Sequence, residues 1–441
     1  MSKTNTNQLV KVSHVIFLGL LAYMPLHIFV STIIGANIGG LEVLKVLKDI
    51  VAVFGFCLIF GLSVRKPWFD AWIRNKLVIA IMLYASLTLL LAVFKPTDQD
   101  AEILGVVFNL RFPMFLLYGW LLTQHVSVLE LRRSALRVVL GSGLIVVLFG
   151  ILQYLVLPND ALTHLGFTTK NGVFPAFFID NKPDLERVMS TLRDPNSLGS
   201  YLLIVTALVA FGLVAAKRHV RNFWIGYGLA ALLCLLLTFS RSALIGLVLA
   251  IALAVFMVGY ELGLRRYAKK VGIIAAVILV ITTCGFVAAR NTYFVQNVIF
   301  HADKSTIQED PNQLRVRFLK ESVSDVERHP IGNGPGTAGL ASIKNDIQGT
   351  RLTENYYLQI AIEVGVFGLI LFIAILVMVS TRLWITRGDQ TAIALLASFA
   401  GLALTNLLVH IWSNEAVAYT WWGLAGLYMS RKTVKPKRLS V

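Results

Sequence analysis

The sequence predicts an all-α polytopic integral membrane protein, and three observations carry that prediction. Of 441 residues, 56% are hydrophobic and only 15% charged, a balance far too apolar for an ordinary soluble multidomain protein. Apolar runs of roughly 20 residues, the length that crosses a hydrocarbon core of about 30 Å, recur along the chain. The basic residues are concentrated in alternate connections between those runs.

The expected spans, about 12 in number, are 14–35, 41–64, 77–94, 103–123, 135–157, 197–216, 222–240, 242–260, 271–289, 356–381, 390–412 and 415–430. The first resembles a signal peptide in its few flanking positive charges. No small-residue cleavage site follows it and further spans come at once, so it reads as retained. With the N-terminus in the cytoplasm, the connections "RKPWFDAWIRNK", "ELRRSALR", "KRHVRN", "LRRYAKK", "TRLWITR" and "RKTVKPKR" all fall on one side. Together with Lys3 and Lys11 they hold more than half of the 40 Lys and Arg residues. Both termini are therefore expected in the cytoplasm, and the formal charge of +16 reads as a topology signal rather than a nucleic-acid footprint. Cys57, Cys234 and Cys284 fall inside expected spans without paired or metal-type spacing, which makes them core residues.

This pattern divides the chain into an N-terminal five-span region (1–157), a first long outer loop (158–196), a four-span core (197–289), a second long outer loop, partly helical (290–355), and a C-terminal three-span region with a basic cytoplasmic tail (356–441). Loops this long usually carry function or cover a site. The second is balanced, eight basic against eight acidic residues, so its arginines are individually placed rather than a polybasic surface. Its segment 312–328 spaces Leu314, Phe318 and Val326 among charges and predicts an amphipathic helix along the membrane surface. The run "HPIGNGPGTAG" from His329 to Gly339 supplies turns or an amide nest for an anion.

Ionisable residues within a bilayer are costly and face a partner or a water-filled cavity. Lys45, Lys48 and Asp49 share a helix face near the outer end of the second span, Arg111 lies in the fourth, and Glu363 and His410 lie in the tenth and eleventh. Structural roles account for these as well as functional ones: an ion pair for Lys45 and Asp49, a helix–helix hydrogen bond for Glu363, a packed histidine for His410. Arg193, Arg241, Arg315 and Arg317 are all expected near the outer interface, where planar guanidinium groups can hold phosphate oxygens in bidentate fashion. In "RDPNSLGSYL", Pro195 suits a first helical turn and Asp194 or Asn196 can cap it, but Arg193 exceeds what a cap requires.

Four motifs in order, "RDPNSLGSYL" (193–202), "LLLTFSRSALIG" (235–246), "HPIGNGPGT" (329–337) and "ENYYLQIAIEVGVFG" (354–368), resemble the bacterial O-antigen ligase and polymerase membrane family. The resemblance covers about the C-terminal half of the chain, while the first five spans match only in hydropathy. It implies a multi-span glycosyltransferase (GT-C-like) fold without a nucleotide-sugar domain, a cofactor or an obligatory metal. It also implies an undecaprenyl-diphosphate-linked glycan donor, and a hydroxyl acceptor on a second glycan or on lipid A-core, at the periplasmic face of the inner membrane. A chain-length regulator is a possible partner; nucleic acid is not.

By family position Arg241 matches the arginine of the "SRSA"-type motif, and Arg315 or Arg317 an arginine of the late loop. Ligases usually carry histidine where this chain has Glu354. A carboxylate can orient or deprotonate a hydroxyl about as directly as an imidazole. The resulting expectations are catalysis by Glu354, Arg241 and Arg315. The donor diphosphate would be bound by Arg193, Arg241, Arg315, Arg317, Lys45 and Lys48. Contacts to acceptor or sugar would come from Asn355, Tyr356, Tyr357, Asn196 and His329. The departure at Glu354 and the balanced loop favour a polymerase over a ligase. A flippase of lipid-linked sugars is the remaining alternative, but the paired repeats usual in transporters are not evident in the sequence.

Overall fold

The structure is a computed structural model that describes residues 3–179, 185–261 and 311–430. The expected span 271–289, with Cys284, and the start of the second outer loop lie outside these residues. Within them, eight helices are long and apolar enough to cross a membrane. The chain is a polytopic, overwhelmingly helical membrane protein.

The order begins with α1 (Lys3–Tyr23) and α2 (His27–Ile38), joined through a short 3-10 turn at Met24–Leu26 where Pro25 removes a helical donor. Next come α3 (Leu41–Val64), the short α4 (Phe69–Ile73), α5 (Lys76–Phe94), α6 (Gln99–His125) and α7 (Val128–Leu155). After the loop that follows α7 come α8 (Pro195–Ala215), α9 (Arg221–Leu237) and α10 (Arg241–Glu261). Then come α11 (Pro311–Arg328), α12 (Tyr356–Ile385), α13 (Gln390–Thr405) and α14 (Glu415–Gly426).

Side chains sort by partner rather than by polarity. On α5, Ile81, Tyr84 and Leu91 are buried against the bundle while Leu83, Leu90 and Phe94 are exposed on the outer face, as expected of a helix whose solvent is lipid. The helix α14 is almost wholly enclosed, its Trp421 and Trp422 packed against Trp412, Phe112 and Phe399.

Two of the expected spans end differently. The segments read as 390–412 and 415–430 form helices of only 16 and 12 residues. Asn406 ends the first: its amide donates to the Leu402 carbonyl and its side-chain oxygen accepts from the Trp412 amide, turning the chain before His410. Apolar composition there reflects burial in protein rather than a full crossing. The loop between α7 and α8 contains a two-residue pairing of β1 (Phe177–Phe178) with β2 (Glu186–Arg187), and its own small core of Leu162, Phe167, Val173 and Met189.

The segment His329–Gly339 is threaded through a break in α12. Gly365 has φ 79° and ψ 176°, so the helix opens there, and the loop backbone takes up the freed groups. Asn333 N donates to Ile362 O, Gly334 N to Glu363 O, and Val366 N to Pro330 O. Buried Glu363 then locks the loop: its carboxylate accepts from Gly336 N, Ala338 N and the Asn109 amide, which in turn accepts from Tyr84. The loop amides do donate to a carboxyl group, but it is the protein's own. Gly336 is obligatory, since a Cβ would lie 2.2 Å from the Ala101 carbonyl oxygen and φ is 84°. Gly336→Ala should therefore cost about 2 kcal/mol or more from strain and displaced packing. The cost would show as a lowered melting temperature of the detergent-solubilised protein, and an unchanged value would refute this account of the loop.

Candidate active site

One end of the bundle collects the beginnings of α8, α10 and α12. Asp194 caps α8, its carboxylate accepting from Asn196 N and Ser197 N at 2.9 Å each. Asn355 caps α12 by accepting from Leu358 N, and its own amide donates to Leu407 O. The turn after α13 joins these helices, with Tyr356 N donating to Asn406 O and Thr405 Oγ1 to Ser242 O. Three helix N-termini thus point their positive dipole ends into one region, an arrangement suited to an anion.

Cations gather at the same end. Arg187, on β2, donates from Nε to Thr238 O and from a terminal nitrogen to the Asn196 side chain. Burial first, and then the positive charges of Arg241 and Arg315, lower its pKa from the ordinary value, while Asp194 opposes them. Arg187, Arg241 and Arg315 therefore share one electrostatic neighbourhood. Arg315 Nε donates to Glu354 Oε2 at 2.6 Å, which brings two of the expected catalytic residues into direct contact. Both side chains are partly open, 45% and 35% exposed, and a pair so exposed contributes only about 0–1 kcal/mol. An incoming polyanion can take Arg315 from Glu354 at little cost.

Backbone strain marks the site independently. Among the described residues, three non-glycine positions have positive φ: Ser190 (52°), Phe239 (48°) and Glu354 (46°). They stand immediately before the segments carrying Arg193 and Arg241, and at the carboxylate itself. The left-handed conformation costs roughly 1–2 kcal/mol per residue, and it is retained here in all three segments at once. At Ser190 the surroundings enforce it: the amide donates to Gln153 Oε1 and the hydroxyl to Val146 O.

The other expected residues lie as follows. Arg193, Asp194 and Glu354 all act electrostatically on His410; burial lowers its pKa, while the two carboxylates oppose that shift. Arg317, 54% exposed, pairs with Glu321 at 3.5 Å. His329 contacts Asp325 at 3.1 Å. Asn196 holds Arg187, Tyr357 donates to Ala403 O, and Tyr356 is fully buried. Lys45 pairs with Glu42 and donates to Asn171 O, tying down the first outer loop.

Lys48 joins a separate buried network. It pairs with Asp49, Tyr419 donates to Asp49, and Arg111 lies 3.6 Å from Glu415. The turn from His410 to Glu415 links the two networks, with Arg111 donating to Ser413 O. Among the described residues no three His, Cys, Asp or Glu side chains are grouped to hold a metal ion.

Arg187 has no signal in the sequence, lying six residues before Arg193 in a polar loop where hydropathy is uninformative. His410 reads from hydropathy as part of a span, which hides its electrostatic link to Glu354.

The fold and this site define a polytopic membrane protein with an arginine-rich, carboxylate-bearing site at one end of its helices. Residues 226–373 match the family model Wzy_C, O-antigen ligase, and this match supports assigning the chain to the O-antigen ligase/polymerase family. No curated protein and no solved structure matches the chain.

Proposed function

We propose that the protein is a glycosyltransferase of GT-C-like architecture, which moves a glycan from undecaprenyl diphosphate to a hydroxyl acceptor at the outer face of the bacterial inner membrane. The observation that carries this reading is the contact of Arg315 with the carboxylate of Glu354, whose backbone is held at positive φ, with Arg187 and Arg241 in the same electrostatic neighbourhood as Arg315. Breaking the bond between the anomeric carbon and the diphosphate oxygen releases a strongly anionic leaving group. Preorganised guanidinium groups beside three helix N-termini stabilise that charge as it develops.

In this mechanism Arg315 leaves Glu354 for the diphosphate as the donor settles. The freed carboxylate accepts the proton of the acceptor hydroxyl, whose oxygen attacks the anomeric carbon. Arg187, fixed by Thr238 and Asn196, keeps the cationic wall in register. The expected lysine contacts have a lesser part here, because Lys45 and Lys48 hold carboxylates of their own.

Polymerisation of lipid-linked repeat units is the favoured reaction, because a carboxylate stands at position 354 and the outer loop is charge-balanced. Ligation to lipid A-core is the second reading, consistent with the description of the matched family. Deleting the gene and resolving surface polysaccharide on a gel separates them. Loss of long chains with a single repeat still attached to lipid A-core is expected. Complete loss of attached glycan with accumulated lipid-linked polymer would establish a ligase instead, and an unchanged pattern would overturn both.

A further inference from the structure

A cavity of about 330 Å³ lies between α11 and the strap Thr350–Leu352, outside the arginine cluster described above. Its walls carry two carboxylates (Glu321, Asp325), two guanidinium groups (Arg328, Arg351), serine and threonine hydroxyls, and the ring of Phe318. The polar groups are held in place. Asp325 Oδ2 accepts from Arg351 at 2.8 Å and from the Asn333 amide at 3.3 Å, while Oδ1 contacts His329 Nδ1 at 3.1 Å. The strap is anchored in turn: Arg351 N donates to Ser342 Oγ and Gly339 N to Arg351 O. Ser322, 5% exposed, closes part of the helix wall.

We propose that this cavity binds an uncharged pyranosyl unit of the glycan, a proposal that rests on the transfer reaction above. Charge selects the class of ligand. The two carboxylates are each paired with a guanidinium group, Asp325 with Arg351 and Glu321 with Arg317, so a bare phosphate would meet repulsion as well as attraction, whereas sugar hydroxyls donate to the carboxylates and accept from the guanidinium groups. Phe318 offers an apolar surface to the C–H face of a ring. The volume falls at the small end of ligand sites, which run from about 300 to 1,000 Å³, so it suits one or two rings rather than an extended chain.

Position selects the role. Phe318 stands one helical turn beyond Arg315, and Leu352 stands two residues before Glu354, so both walls lead directly to the ion pair. A ring seated here would hold its glycan beside the reacting groups.

Saturation-transfer NMR on the purified protein in lipid nanodiscs, with a panel of neutral methyl hexopyranosides, hexosaminides and 6-deoxyhexosides, tests this without any transfer step. At least one glycoside should receive saturation from the wild type. Thr350→Trp, which fills the cavity from an exposed loop position without removing the Asp325 contacts, should reduce that signal at least fivefold. Asp325→Asn should weaken it, and Glu354→Gln should leave it intact. No signal from any glycoside, or an equal signal in Thr350→Trp, overturns the site. If Glu354→Gln still extends chains in cells while Thr350→Trp loses glycoside binding, the transfer mechanism fails and the sugar site stands.

Discussion

Arg241→Ala should lower glycan transfer by about 10²–10³-fold, the loss typical of removing one preorganised donor aimed at developing negative charge. The residue opens α10 two positions after the strained Phe239, and its charge reaches Arg187. Both observations tie it to the region where the leaving diphosphate would sit. Arg241→Lys should recover only part of the loss, because lysine keeps the charge but lacks the planar fork that meets two phosphate oxygens together. The assay is incorporation of repeat units into long chains, normalised to protein in the membrane. Full activity in Arg241→Lys would reduce its role to simple charge, and wild-type activity in Arg241→Ala would remove it from the mechanism.

Glu354→Gln should cost about 10²-fold or more in turnover, in line with the contribution of a positioned general base. Glutamine keeps the size and still accepts a hydrogen bond from Arg315, so the ion pair's small structural share is largely preserved. A residue acting only through the α12 N-terminus would be worth about 0.3–1 kcal/mol, and its replacement would leave turnover nearly normal with a slight loss of stability. Asn355 already supplies the α12 cap by accepting from Leu358 N. Measuring turnover and melting temperature on the same preparation separates the two roles. If Glu354→Gln remains active while Glu354→His gains transfer to lipid A-core, position 354 selects the acceptor and is not the base.

Much of the fold is legible in the sequence because lipid imposes a simple rule. The run expected at 77–94 is helix Lys76–Phe94, bounded by the Asn75 cap and by Lys95, and the run expected at 41–64 coincides with α3. That rule fails where a segment is enclosed by protein, since Trp421 and Trp422 are as apolar inside a bundle as against lipid. Thus α13 and α14 read as spans and are short. The site is legible in its residue types but not in their pairing. Arg315 and Arg317 are two residues apart, so they project from different sides of α11, and only the fold puts the first against Glu354. The "DPNS" order predicts a cap from Asp194 or Asn196, and the fold gives that role to Asp194. The commitment of Asn196 to Arg187 needs a hairpin that hydropathy does not signal.

The break at Gly365 has a mechanical meaning. Because Pro330, Asn333 and Gly334 supply or receive the hydrogen bonds that α12 forgoes, the segment His329–Gly339 is stitched into a helix of the bundle instead of resting upon it. Glu363, inside α12, grips that segment from below through Gly336 and Ala338. The stretch leading out of α11, which carries Arg315, and the helix that begins just after Glu354 are therefore parts of one rigid frame. Lifting the loop would mean unbuttoning the helix, so the spacing between Arg315 and Glu354 is governed by the same framework as the bundle itself.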